Sequence, residues 1–231
     1  YAQVAATVEL SPVYMALAVL ATIVAAIGLM KESPAIIIGA MVIAPMLGPN
    51  MGLSLAVTLA DWPLASKSLM AAAAGILTAF AFSVIAGHVI ELDSSCFEIA
   101  ARIQPSLGDV VLALAAGAAG ALAFTASAST WLVGVMVAVA LLPPLVTCGM
   151  LAGAGHSQEA VGALLLFLTN VICVNLAAVA TFVAQGIRPR TWWEASRARR
   201  ASRIALLLWA AMLAALVVLI LIWPVSYTHL R

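Results

Sequence analysis

The chain has 231 residues, of which 65% are hydrophobic and only 8% charged, with a mean hydropathy of +1.18 and a formal net charge of +1. Ordinary soluble domains are about 45–50% apolar and about 25% charged, so this composition excludes a water-covered globular surface and predicts an integral membrane protein. Cys96, Cys148 and Cys173 indicate neither a disulfide framework nor a metal set.

The chain opens on Tyr1 without a recognisable signal peptide, which reads as a fragment or a processed product. A membrane span needs about 20 mostly apolar residues, and runs of that kind predict an all-α bundle of seven spans. In chain order they cover Pro12–Met30, Ala35–Ala60, Leu64–Ile90, Leu107–Ser127, Thr130–Gly153, Ala160–Ala184 and Ile204–Trp223. The alternation of a membrane barrel is absent. Residues 225–231 contain "SYTHLR", which departs abruptly from what precedes it and reads as a non-native tail.

Between the last two spans, residues 185–203 include "RPRTWWEASRARRASR" (Arg188–Arg203), with six arginines and two tryptophans. Basic residues in a short loop mark the cytoplasmic side, and a nucleic-acid patch does not suit a loop between two spans. The N-terminus and the Asp61–Lys67 turn are then cytoplasmic as well. Lys31–Glu32, Glu91–Pro105 and Gly155–Glu159 face outward, carrying only Lys31 and Arg102 as basic residues.

The second span contains "GAMVIAPMLGPNMG" (Gly39–Gly52), rich in the two residues that weaken helices most. Displaced by 95 positions, "GAMVIAPMLGP" (Gly39–Pro49) lies over "GVMVAVALLPP" (Gly134–Pro144), with Gly39/Gly134, Leu47/Leu142 and Pro49/Pro144 coinciding. Each proline-bearing segment is the second span of a three-span group, the first group within residues 10–90 and the second within 107–184. An odd number of spans per group inverts the second copy, and inverted repeats with matching broken helices point to a transport site near the membrane midplane. The competing reading is that Pro45, Pro49, Pro143 and Pro144 only kink two spans while the glycines allow close packing.

"SPAIIIGAMVIAPMLGPNMG" (Ser33–Gly52), "EIAARIQPSLGD" (Glu98–Asp109), "AAGAAGALA" (Ala115–Ala123), "VGVMVAVALLPPLVTCG" (Val133–Gly149) and "LLLFLTN" (Leu164–Asn170) together resemble the prokaryotic membrane family known as domain of unknown function 389. The resemblance spans roughly Leu10 to Pro189 and implies a helical membrane core, with no activity attached. Asn50 and His156 depart from the family's pattern, so no family role is carried onto either.

No zinc helix, nucleophile elbow or phosphate loop occurs, so an enzyme is not expected and no cofactor is implied. His88 is a lone interfacial histidine. Two readings fit Asp109: a carboxylate in the first helical turn after Pro105, favoured by the helix dipole, or a group coupling ion or proton movement. Glu98 and Arg102, four apart, read as a solvated helical pair. The candidate pathway comprises Gly39, Pro45, Gly48, Pro49, Asn50 and Gly52 from the first copy and Gly134, Pro143, Pro144 and Thr147 from the second. Asn170 and Asn175 of the sixth span complete it, with interhelical hydrogen bonding as their alternative role. "AAAAG" (Ala71–Gly75) and "GAAG" (Gly117–Gly120) read as packing faces, compatible with a homo-oligomer of unspecified number. The expected function is a secondary transporter or channel-like permease for a small solute, with a membrane scaffold or sensor anchoring a soluble portion as the alternative.

Overall fold

The computed structural model describes residues 7–90, 92, 96–126, 130–187, 189 and 192–222, and for residues 130–140, 192–197 and 221 the backbone alone. The 225–231 tail lies outside the described residues. All regular structure among them is helical. The elements are α1 (Pro12–Met30), α2 (Pro34–Ile43), α3 (Leu47–Leu59), α4 (Trp62–Val89), α5 (Phe97–Ala100), α6 (Leu107–Thr125), α7 (Thr130–Gly153), α8 (Ser157–Ala184) and α9 (Trp192–Ile222).

Local chemistry sets most boundaries. Ser11 caps α1 by accepting the Tyr14 N–H at 3.1 Å, with Pro12 in the first turn, where a missing donor costs nothing. Asp61 caps α4 in the same way through Leu64, at 3.0 Å. The turn before α4 is therefore confined to Ala60 and Asp61, and Lys67 is already helical. Ser106 and Asp109 form a capping box at the start of α6.

Helices α1, α4, α6, α8 and residues Ala198–Ile220 of α9 are each long and apolar enough to cross a membrane. The pair α2 and α3, bent by 53° at a short break, makes a sixth if taken as one span. Two expectations change here. The basic segment 185–203 is not a loop throughout, because α9 begins at Trp192 and carries Arg197 to Arg203 into the last span. That stretch is built largely of alanine and arginine, both strong helix formers, and holds no proline to stop the helix. The second proline segment is not broken either: α7 runs through Pro143 and Pro144 as one helix.

The bundle closes through α4 against α7, α6 and α7 against α8, and α3 against both α4 and α8, while α9 packs on α8 and α3. Glycine makes the closest of these crossings. A Cβ added at Gly117 would lie 2.5 Å from the Val174 carbonyl oxygen, and one at Gly75 would lie 2.5 Å from the Tyr14 hydroxyl. Both small-residue tracts are thus used inside the chain. The outer faces carry Leu20, Ile27, Leu77, Ile85, Val111 and Leu207, all exposed, as a lipid-facing surface requires.

Contacts sort the turns into two ends. At one, the Phe97 N–H donates to Glu32 Oε1 at 2.7 Å, Gly153 abuts Val84 and His88, and Gly162 abuts Ile103. At the other, Gln185 Nε2 donates to Thr125 Oγ1 at 2.8 Å, and Ser202 Oγ lies 3.5 Å from the Thr58 carbonyl oxygen.

Candidate functional site

The break between α2 and α3 follows from Pro45. A residue before proline is driven out of the helical region, and Ala44 sits at φ −65°, ψ 123°, ending α2. Pro49, by contrast, occupies the first turn of α3, where its absent N–H has no intrahelical acceptor to leave unpaired. The break thus belongs to Pro45, with Pro49 accommodated beside it.

One turn into α3, Asn50 answers the break. Its Nδ2 donates to the Met46 carbonyl at 2.8 Å, and its Oδ1 accepts from Asn175 Nδ2 of α8 at 2.9 Å. Asn175 Nδ2 also donates to the Val171 carbonyl at 2.8 Å, while Asn175 Oδ1 accepts from Ser54 Oγ at 2.9 Å. All three side chains are buried, Ser54 and Asn175 at 1% exposure. Asn50 and Ser54, one turn apart, present a single polar edge of α3 to α8. The amides satisfy one another, the arrangement a buried polar cluster needs in an apolar medium. Ser54 escaped sequence reasoning; only its spacing of four from Asn50 signalled it. Beside the cluster lies a void of about 10 Å³, bordered by Tyr14, Pro49, Asn50, Ala72, Ile76 and Leu141, with room for about one water.

A second and larger space, about 310 Å³, opens between α5, α6, α7 and α8. Glu98 and Arg102 line it from α5 and the turn after it, Asp109 and Leu112 from α6, Pro144 from α7, and Leu166 and Asn170 from α8. Arg102 Nη1 lies 2.7 Å from Glu98 Oε2 and also donates to the Glu98 carbonyl. Glu98 is only 8% exposed, so this is a largely buried ion pair, where the i,i+4 spacing alone predicted a solvated one. The reason is tertiary: the short α5 folds back against the bundle end, with Ile99 and Ile103 buried beside the pair. Asp109 is held by its capping box, accepting from Ser106 N–H at 2.8 Å and Ser106 Oγ at 2.7 Å, and also borders the vestibule.

The predicted pathway residues therefore separate into groups. Pro49, Asn50 and Asn175 meet at the break, while Pro144 and Asn170 meet at the vestibule. Pro143 and Thr147 are buried in α7, and the Thr147 hydroxyl makes no hydrogen bond among the described residues. Gly48 and Gly52 serve packing: a Cβ at Gly48 would lie 2.7 Å from the Thr7 carbonyl oxygen, and one at Gly52 would lie 2.5 Å from Ser68 Oγ. Gly39 has nothing within 4 Å of its would-be Cβ. Gly134 falls where only backbone is described. Among the described residues no group of three or more His, Cys, Asp and Glu side chains could hold a metal ion.

The isolation of Gly39 yields a small prediction. Gly39→Ala adds a helix-favouring residue into open space and is expected to raise stability by about 0.5–1 kcal/mol. A thermal melt in detergent that shows a loss would contradict the open environment.

Fold and site together define a polytopic helical bundle with a polar recess at one end and a hydrogen-bonded break within. The chain belongs to the family described as a domain of unknown function (DUF389), which matches residues 41–176. It is also 42% identical over 213 residues to an uncharacterized protein of Methanocaldococcus jannaschii, a match covering 92% of this chain and 67% of that protein. No solved structure matches.

Proposed function

We propose that the chain is a multi-pass membrane permease for a small solute, entered through the vestibule bounded by Glu98, Arg102, Asp109, Pro144 and Asn170. The observation that carries this is the vestibule itself, a polar recess of about 310 Å³ in an otherwise apolar bundle, ending on a proline-bearing helix. A charged pair held at the mouth of such a space is costly, which favours a functional reading over passive packing.

A seven-span arrangement of two inverted halves supports the proposal. α1 and α6 have 19 residues each, α4 and α8 have 28 each, and both ends of each pair lie 95 positions apart. The packing pairs exchange under that correspondence: α4 with α7 answers α8 with α3, and α1 with α4 answers α6 with α8. The end contacts agree with opposite directions for the two halves. The arginines of α9 lie at the end where Ser202 meets Thr58, so the positive-inside rule makes that end cytoplasmic and the vestibule outward-facing.

The test needs a solute first. Screening a solute library for thermal stabilisation of the purified protein should return at least one ligand. Flux of that ligand into proteoliposomes should then fall at least about tenfold in Leu166→Trp, where the ring fills the vestibule. No stabilising solute, or flux equal to that of protein-free liposomes, would favour the second reading, a scaffold or sensor. The observation on that side is the closed Asn50–Asn175 pair, which leaves the centre of the bundle packed.

A further inference from the structure

Two positions that border the small void at the break, Tyr14 and Pro49, correspond across the two halves to two that border the large vestibule, while Leu141, Phe167 and Val171 of the second half close the void from its other side. Moved by 95 positions, Tyr14 corresponds to Asp109, Pro49 to Pro144, Ala71 to Leu166 and Gly75 to Asn170. The second member of every pair lines the vestibule. Tyr14 and Pro49 line the void, together with Ala72 and Ile76, the neighbours of Ala71 and Gly75. The correspondence extends to the caps, since Ser11 and Ser106 each cap their helix by accepting an N–H three residues on.

What differs is the third helical residue. In the second half Asp109 folds back onto Ser106, and about 310 Å³ stays open. In the first half the Tyr14 side chain crosses to α4. Its hydroxyl donates to the Ala71 carbonyl at 2.8 Å and lies 2.5 Å from where a Gly75 Cβ would stand, leaving about 10 Å³. Tyr14 is 5% exposed. Gly75 lets the ring in, since any side chain there would collide with it. An aromatic ring therefore fills, in one half, the position that is empty in the other.

We infer that Tyr14 is the gate of a second mouth, opening at the end opposite the vestibule, and that the structure shows the protein with this gate shut. The inference rests on the permease reading for its purpose, while its geometry can be tested without a solute. Release of Tyr14 from Ala71 opens the void toward the N-cap end of α1. In an alternating pathway that opening is linked to closure of the vestibule.

The experiment uses cysteine accessibility in proteoliposomes. Cys96 is replaced by serine, and Cys148 and Cys173 are buried. Ala72→Cys reports on the gated void and Leu166→Cys on the vestibule, each labelled with a membrane-impermeant maleimide applied to either side. Tyr14→Ala should speed Ala72→Cys labelling about tenfold from the end bearing Ser11 and slow Leu166→Cys labelling from the other. Tyr14→Phe keeps the ring, guards against misfolding, and should move both rates the same way by up to about fivefold through loss of one hydrogen bond. If both rates stay unchanged in both variants, the gate is wrong. If Ala72→Cys labelling rises while Leu166→Cys labelling stays constant, Tyr14 merely fills a hole and the gate is again wrong. Opposed changes with no solute found in the library would keep the gate and sink the permease.

Discussion

Gly87→Leu is expected to prevent folding. A Cβ at Gly87 would stand 1.9 Å from the Met150 carbonyl oxygen, so even alanine collides with backbone that belongs to α7. Nothing flexible can give way. α4 and α7 would have to separate by on the order of 1–2 Å, forfeiting a large part of the dispersion contact along the crossing. The neighbouring glycines leave no slack, because Gly153 and Gly149 press equally hard on Val84 and Ser83 from the other helix. Removing glycine from a helix interior gains up to about 1 kcal/mol, while overpacking of this kind costs about 3 kcal/mol or more, so the collision wins. Against a total stability of roughly 5–15 kcal/mol, a bulkier side chain ends the monodisperse folded state. Size-exclusion profiles and thermal melts in detergent check this. A Gly87→Ala protein with wild-type stability would mean that α4 and α7 are farther apart than described.

The second large effect belongs to Asn175. Asn175→Ala removes the partner of both Asn50 Oδ1 and Ser54 Oγ at a buried site, beside a void of only about 10 Å³. The loss should be about 1–3 kcal/mol, toward the upper end of what interhelical hydrogen bonds contribute in membranes, because two groups are orphaned together. Asn50→Ala should cost less, since Asn175 Nδ2 retains the Val171 carbonyl. The double variant should cost clearly less than the two single losses combined, a coupling of about 0.5–2 kcal/mol that defines a shared bond. Additive effects in a denaturation cycle would show that the two amides act independently.

Much of the architecture was legible from composition and punctuation. Span positions followed from apolar runs, which placed the starts of α1 and α6 and set that of α4 two residues late, at Leu64 in place of Trp62. That the second span breaks within Gly39–Gly52 was legible from its glycines and prolines, but not that Pro45 makes the break while Pro49 is accommodated in the next helix. The second proline pair was misread by the same logic: Pro143 and Pro144 remove two helix donors, yet α7 continues through them, packed between α4 and α8. Whether a proline breaks or only strains a helix depends on what surrounds it.

The candidate site was less legible. Asn50 and Asn175 were singled out separately because an amide in an apolar run must find a partner; that they partner each other lies 125 residues beyond any local signal. Glu98 and Arg102 read as solvated because spacing reports on one helix only, and burial depends on what that helix lies against. Tyr14 raised no question in the sequence, being one aromatic residue near a span end.

The sequence by itself therefore determined that this chain is a bundle of apolar helices, where most of them begin, that one is interrupted within Gly39–Gly52, and which family it belongs to. Each of these rests on properties exerted within a few residues: hydrophobicity per turn, a cap, a missing N–H. Tertiary structure alone decided which glycines are crossings and which stand open, that the polar residues divide between a closed break and an open vestibule, and that the Tyr14 hydroxyl crosses to the Ala71 carbonyl of α4. Those outcomes depend on distances between segments far apart in the chain, and side-chain volume and hydrogen-bond geometry act only once packing has brought them together.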